Sequence, residues 1–324
     1  MNKNYQVISR LELCGIVPVI KIEDVSKAGK LAEALISGGI DTAEITFRAE
    51  GAEKAIENIK SACPEMIVGG GTVLTTEQAD KAIASGADFL VAPGFNPAIA
   101  KHCIKRGIPY IPGISTCSEL EQALSMGFRA VKFFPAEQSG GLKFIKAISA
   151  PYSGVKFMPT GGINEDNLQE YLSFDRVFAC GGSWMVGGDL IRREKWDEIT
   201  ALSKSAVGKM LGFEFAHIGI NSDNAVQAEG YADAFIRAFD FSSREGNSNV
   251  FVGDNIEITV NKYIGQNGHI AIKTNSVLRA AHYLERKGFS VNMASAKYND
   301  KNLMYCVFLE KDFGGFAVHL IQRR

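Results

Sequence analysis

Ala130-Val131-Lys132-Phe133-Phe134-Pro135 reads as a short apolar β-strand with a lysine in its middle. Burying an unpaired ammonium is expensive, so a lysine in such a place has two ways out. It can lie near the strand end and snorkel to water, which is a purely structural role. It can instead give up its proton. Desolvation lowers a lysine pKa, and a neutral amine is a nucleophile that forms a Schiff base with a carbonyl substrate. Side chains alternate along a strand, so Lys132 and Phe134 share one face and Phe133 takes the other.

Outward from this strand the chain keeps one rhythm. Short apolar runs at 16–20, 42–47, 66–70, 89–92, 110–112, 130–134, 156–159 and 176–179 read as strands. Amphipathic helical stretches lie between them, such as 25–37, with Val25, Ala28, Leu31, Ala32 and Leu35 on one face, and 76–85. Strands that alternate with helices imply parallel pairing. Eight such units, the last closed by a helix over 195–207, predict an α/β fold, a (β/α)8 TIM barrel at the compact end of its size range. A doubly wound open sheet fits less well, because no Gly-x-Gly-x-x-Gly turn follows the first strand.

Glycine, proline, serine and threonine cluster just after these strands: Gly69-Gly70-Gly71-Thr72, Ala92-Pro93-Gly94, Pro112-Gly113-Ile114-Ser115-Thr116, Pro159-Thr160-Gly161-Gly162 and Gly181-Gly182-Ser183. The joints leading from helix into strand are plainer. Barrel active sites sit at the C-terminal ends of the strands, so this punctuation marks the active mouth.

After a joint at 208–212 the rhythm changes, which divides the chain into a domain at 1–208 and a second at 213–324. The second carries a faint internal repeat. Phe215-Ala216-His217-Ile218-Gly219-Ile220-Asn221 resembles Gly268-His269-Ile270-Ala271-Ile272-Lys273, and each copy precedes a helix (223–239 and 275–287) and then strands. Each ends in a strand with one polar residue among apolar ones, Glu257 in the first and His319 in the second. A duplicated module of one strand, one helix and three strands, an α+β domain of paired βαβββ modules, is the economical reading.

Composition narrows the function classes. A net charge of −1 gives no broad nucleic-acid footprint and no electrostatic membrane anchor. No apolar run approaches the ~20 residues of a membrane span, and the N-terminus lacks the apolar core of a signal peptide. The six cysteines are scattered without a Cys-x-x-Cys pair, which fits reduced thiols in the cytoplasm better than a disulfide or zinc framework.

Glu44, Thr46 and Arg48 would share a face if 42–47 runs on as a strand, bringing a carboxylate and a guanidinium toward the lysine strand. An internal ion pair without chemistry is the competing reading. The three together suit a Schiff-base aldolase, which needs an amine nucleophile, a proton shuttle and a cation for the substrate carboxylate. The glycine pairs after the seventh and eighth strands stand where barrels often seat a phosphate, since glycine lets backbone N–H groups approach an oxyanion. Two such pairs favour phosphate binding over mere tight turns.

These residues carry a resemblance. Over about residues 10–207 the chain resembles the 2-keto-3-deoxy-6-phosphogluconate (KDPG) and 4-hydroxy-2-oxoglutarate aldolases. The matching runs include Val17-Pro18-Val19-Ile20, Glu44-Ile45-Thr46-Phe47-Arg48, Gly69-Gly70-Gly71-Thr72-Val73-Leu74, Val131-Lys132-Phe133-Phe134-Pro135-Ala136-Glu137, Pro159-Thr160-Gly161-Gly162-Ile163 and Gly181-Gly182-Ser183-Trp184. The resemblance implies a trimeric, metal-independent class I aldolase that releases pyruvate from a 2-keto-3-deoxy sugar-acid phosphate. It implies Lys132 as the Schiff-base lysine and Glu44 as the general acid/base. It assigns Arg48 and Thr72 to the carboxylate end, Pro93 and Phe134 to the pyruvyl pocket, and Gly161, Gly162, Gly182 and Ser183 to the phosphate. Many relatives carry an arginine where this chain has Lys21, which leaves carbon-chain and epimer specificity open.

Four of the five histidines lie in the last third, and His217 and His269 match in the repeat, as do Glu257 and His319. Three imidazoles and a carboxylate at such positions can converge on one divalent metal. The arrangement resembles the vicinal-oxygen-chelate (glyoxalase/bleomycin-resistance) superfamily, whose paired modules often bind metal. A scaffold or small-molecule sensor with structural histidines is the alternative, as is a metal-dependent isomerase or lyase. His282, without a repeat partner, reads as a surface residue.

Overall fold

The protein, a computed structural model, is described over residues 3–246 and 248–323. It forms two compact units, Met1–Met210 and Leu211–Arg324.

The first unit is a curled parallel α/β fold of barrel-like form. Its strands are β1 (Ile16–Ile20), β2 (Thr42–Thr46), β3 (Ile67–Gly71), β4 (Phe89–Val91), β5 (Tyr110–Ile111), β6 (Gly113–Ile114), β7 (Ala130–Phe133), β8 (Lys156–Pro159) and β9 (Cys180–Gly182). Six run side by side in the order β5-β4-β3-β2-β1-β9, and three in the order β6-β7-β8. Pro112 divides the fifth expected strand: Tyr110 and Ile111 pair with β4, whereas Gly113 and Ile114 pair with β7. Proline has no N–H to give a ladder, but its carbonyl accepts the Lys132 N–H at 2.8 Å. Two parallel bridges, Phe157↔Val177 and Thr160↔Gly181, carry β8 toward β9. The helix Lys3–Cys14 sends Val7 and Leu11 into an apolar cluster with Val17, Phe89, Ile111, Met158 and Phe178.

Several expected boundaries shift. The eighth strand was expected at 176–179, but the ladder to β1 runs through Cys180, Gly181 and Gly182. The glycines are inside the strand because the space beside them is filled: a Cβ on Gly181 would overlap Thr160. Gly71 and Gly113 likewise belong to strands rather than to the loops after them. β2 ends at Thr46, so Arg48 lies in a turn and does not extend the face of Glu44. The helix expected over 195–207 runs from Trp196 to Leu211, through most of the expected joint at 208–212.

The second unit follows the order β10 (Glu214–Asn221), helix Ala225–Phe239, β11 (Ser243–Glu245), β12 (Asn249–Val252), β13 (Ile256–Thr259), then β14 (Gly268–Thr274), helix Val277–Arg286, β15 (Val291–Tyr298), β16 (Met304–Leu309) and β17 (Phe316–Gln322). Its eight strands make one sheet, β11-β12-β13-β10-β14-β17-β16-β15. Both helices open on a side-chain cap, Asn224 accepting from the Gln227 N–H and Ser276 from the Arg279 N–H. Ala228 and Ala232 of the first helix bury against Val252 and Ile258. The registers are related by a pseudo-twofold. Gly219 pairs with Glu257 and Ala271 with His319, while across β10 and β14 Gly219 faces His269 and His217 faces Ala271.

Candidate active site

Lys132 is 4% exposed on β7 and Glu44 is fully buried on β2. The Lys132 Nζ lies 3.1 Å from Glu44 Oε1 and 3.3 Å from Oε2. A buried ion pair is weak evidence for stability, because desolving two charges offsets their attraction. It is therefore an expensive arrangement to keep for structure alone. Gly71 on β3 makes it fit: a Cβ there would overlap the Glu44 side chain. Phe134 continues the lysine's face, with Nζ 5.6 Å from its ring centre.

Thr72, which follows β3, has φ of 55°. For a β-branched residue this is a genuine outlier, at a cost of about 1–3 kcal/mol, and such strain clusters at functional sites. Hydrogen bonds pin the backbone around it: Phe47 N–H donates to Gly71 O at 2.8 Å and Val73 N–H to Val91 O at 3.1 Å. The Pro93 carbonyl packs on Gly113, where a Cβ would overlap it.

Arg48 and Ser183 line a cleft of about 510 Å³ with Lys21, Lys27 and Arg192. Lys27 and Arg192 carry charge into this cleft and were not read from the sequence, because Lys27 stands in the helical stretch 25–37 and Arg192 ends the short helix Gly188–Arg192, neither within a motif. After β8, Gly161 and Gly162 have φ of 99° and 83°, a region glycine enters without a Cβ penalty. Their loop is held by Glu137 N–H donating to Gly161 O at 3.1 Å and by Asn167 Nδ2 donating to Gly162 O at 3.0 Å. Gly182 lies in β9 under the Trp184 ring, and Ser183 is exposed at the end of that strand.

In the second unit His217, His269, Glu257 and His319 do come together. The ligand nitrogens of the three histidines lie within 4.8 Å of one another. Glu257 Oε2 is 3.0 Å from His217 Nε2 and 3.3 Å from His269 Nε2, and those two nitrogens are 3.2 Å apart. A tetrahedral metal with bonds of about 2.0–2.1 Å separates its ligand atoms by about 3.3 Å, which is the spacing of Glu257, His217 and His269, with His319 within 4.8 Å of the other two imidazoles. Nε2 of His319 is buried without a hydrogen-bond partner among the described residues, while its Nδ1 lies 3.4 Å from the Cys306 thiol. Gly219 leaves the space that the His269 ring occupies. Burial works to raise the Glu257 pKa, but hydrogen bonds from His217, His269 and Asn249 outweigh it and hold the carboxyl well below the usual range. Burial, with repulsion from His269 and His217, pushes His319 down to about 3 and keeps it neutral, as a metal ligand must be. The cluster floors a cavity of about 370 Å³. All six cysteines are free thiols, and no helix among the described residues is long and apolar enough to cross a membrane.

A model of the KDPG and KHG aldolase family matches residues 7–202. The chain is 47% identical over 201 residues to a 2-dehydro-3-deoxy-phosphogluconate aldolase of Treponema pallidum (strain Nichols), covering 62% of this chain and 96% of that protein. It is 43% identical over 192 residues to a KHG/KDPG aldolase of Escherichia coli (strain K12), covering 59% and 90%. Among solved structures it is similar to a KDPG aldolase from Legionella pneumophila with pyruvate captured as a covalent carbinolamine intermediate. That likeness has a TM-score of 0.60 and 39% identity, and covers 64% of this chain and 98% of the other. A lysine and a carboxylate in contact inside a parallel barrel-like fold thus accompany a family match that spans nearly the whole first unit, and the chain belongs to the KDPG and KHG aldolase family.

Proposed function

We propose that the first unit, a (β/α)8 barrel, cleaves KDPG to pyruvate and glyceraldehyde 3-phosphate through a Schiff base on Lys132. The observation that carries this reading is the buried contact between Lys132 Nζ and Glu44 at 3.1 Å. Glu44 takes a proton from the amine, and the freed lone pair attacks the C2 ketone. Protonation of the carbinolamine hydroxyl, relayed by Glu44, expels water and leaves an iminium. The iminium accepts the electron pair of the C3–C4 bond as that bond breaks, while Glu44, through water, takes the C4 hydroxyl proton and the phosphorylated fragment departs as the aldehyde. The enamine is then protonated at C3, and water releases pyruvate and the amine. This chemistry calls for no metal. Thr72 and Arg48 take the carboxylate end, Pro93 and Phe134 the pyruvyl group, and Gly161, Gly162, Gly182 and Ser183 the phosphate. The cleft holding Ser183 sets Arg48, Lys21, Lys27 and Arg192 against only Glu23 and Asp24, and this excess of positive charge supports the last of these roles.

Borohydride in the presence of pyruvate tests this reading. A stable added mass is expected at Lys132 and at no other lysine, and an unlabelled protein would sink the assignment. Pyruvate release, coupled to lactate dehydrogenase, ranks KDPG, its galactonate epimer and 4-hydroxy-2-oxoglutarate by kcat/KM. The names of the relatives favour the first and last of these substrates. A cytoplasmic homotrimer is the assembly and location that accompany this reading.

For the second unit the reading is a vicinal-oxygen-chelate fold of paired βαβββ modules that binds one divalent metal through His217, Glu257, His269 and His319. The spacing of the donor atoms supports it. Such a metal supplies Lewis-acid polarisation of a bound oxygen. Burial holds the His319 imidazole neutral, and the Glu257 carboxyl, held low by its hydrogen bonds, is ionised and ready for it. Metal analysis of the full chain should find about one ion per protein, lost in the His217→Ala, His269→Ala double variant; a metal-free wild type after incubation with zinc, manganese, nickel and iron would remove the reading.

A further inference from the structure

The cavity above the histidine cluster has a wall chemistry of its own. Small-molecule pockets are mostly apolar with a few polar groups. Here the rim is amide, hydroxyl and ammonium: Asn249, Ser248, Asn261, Lys262 and Lys297. An apolar occupant would strand these groups, at the cost of every hydrogen bond they make with water. The aromatic part of the wall is Tyr263 and Phe308, whose ring centres are 6.1 Å apart.

The charge is one-sided. Among the described residues Glu257 is the only carboxylate lining the cavity, and it is committed to His217, His269 and Asn249. Lys262 has a loose, exposed partner in Asp223 at 3.5 Å. Lys297 has no ion-pair partner among the described residues. It pairs with Cys306 between two register shifts of β15, and both residues line the cavity. Cys306 in turn touches His319, which puts Lys297 beside the cluster.

We infer that this cavity binds a small hydroxylated carboxylate, of the sugar-acid class, with its carboxylate on Lys297 and its hydroxyls on Asn249, Ser248 and Asn261. The volume of about 370 Å³ admits a chain of six carbons with its oxygens. The inference deepens the metal-site reading of the second unit and draws on it only for the floor of the cavity.

Calorimetric titration of the full chain with D-gluconate tests it, with the neutral polyol D-glucitol as the uncharged counterpart. Metal content is measured on the same samples. Gluconate should bind at least tenfold more tightly than glucitol, and Lys297→Met should remove that preference while Lys297→Arg retains it. Lys297 is exposed, so the variants should keep the wild-type circular dichroism and melting profile. Equal binding of gluconate and glucitol, or an unchanged preference in Lys297→Met, overturns the inference. So does binding of glycerol 3-phosphate in place of gluconate, because the anion read would then be a phosphate. If gluconate binds with this lysine dependence to protein that stays metal-free after incubation with zinc, manganese, nickel and iron, the inference stands and the metal reading falls. If metal is bound and gluconate is not, the reverse holds.

Discussion

Lys132 and Glu44 are 88 residues apart in the chain and 3.1 Å apart in space, on strands that are not neighbours in any sheet. Only curling of the parallel strands brings β2 and β7 together, so the pair reports the fold. If Glu44 moves the protons of each step, Glu44→Gln should keep the shape and lose the base. Turnover should drop by about 10²–10⁴-fold, the range of general acid–base groups. Pyruvate release under saturating KDPG checks this, and near-normal kcat would reject Glu44 as the shuttle. Lys132→Ala should leave no turnover in a protein that still melts cooperatively.

Gly71 is predicted to be intolerant of the smallest side chain. The added methyl would overlap Glu44, which is fully buried and cannot retreat to water. Gly71→Ala should cost about 1–3 kcal/mol of stability, as overpacking does, and should lower kcat by displacing the carboxylate. Gly94→Ala is the comparison, because a Cβ at Gly94 meets nothing within 4 Å. Thermal melts and turnover of the two variants side by side make the test. Equal effects would mean that the space beside Glu44 is not what Gly71 protects.

Thr72 separates stability from binding. Its φ of 55° costs a β-branched residue energy that glycine does not pay. Thr72→Gly should therefore melt no lower than wild type. If the Thr72 side chain holds substrate, KM for KDPG should rise several-fold in the same variant. A lower melting temperature with unchanged KM would make Thr72 a structural residue only.

How far the sequence reached follows from where each signal sits. The alternation of strands and helices was legible because each strand is a run of Val, Ile, Leu or Phe between polar helices. The strand ends were less so, because glycine was read as loop. In this barrel-like fold, Gly71, Gly113, Gly181 and Gly182 are strand residues that give up a side chain to make room for Glu44, Pro93, Thr160 and Trp184. The helix Lys3–Cys14 was missed, although Val7, Leu11 and Cys14 keep the spacing of one helical face. Lys132 and Glu44 were legible as residue types, whereas their contact depends on closure across the sheet. The duplicated pattern exposed His217, His269, Glu257 and His319. Cys306 and Lys297 were hidden because the repeat keeps the place but not the residue type: where Cys306 stands beside His319, the first module has Asn249 beside Glu257.

Cys306 supplies the last prediction. Its thiol lies 3.4 Å from His319 Nδ1, and the only other ring nitrogen of that histidine, Nε2, is the buried atom without a partner. When Nδ1–H donates to the sulfur, the Nε2 lone pair is left to face the cluster. The stacked Phe308 ring, 4.5 Å away, fixes the plane but not the tautomer. Loss of such a supporting contact typically weakens metal affinity by about 10–100-fold. Cys306→Ala should show a loss of this size in competition with a chelator. Cys306→Ser, which keeps an acceptor for Nδ1–H, should recover part of it. An unchanged affinity in Cys306→Ala would show that packing alone orients His319. A loss that Cys306→Ser does not recover would place the sulfur itself among the ligands.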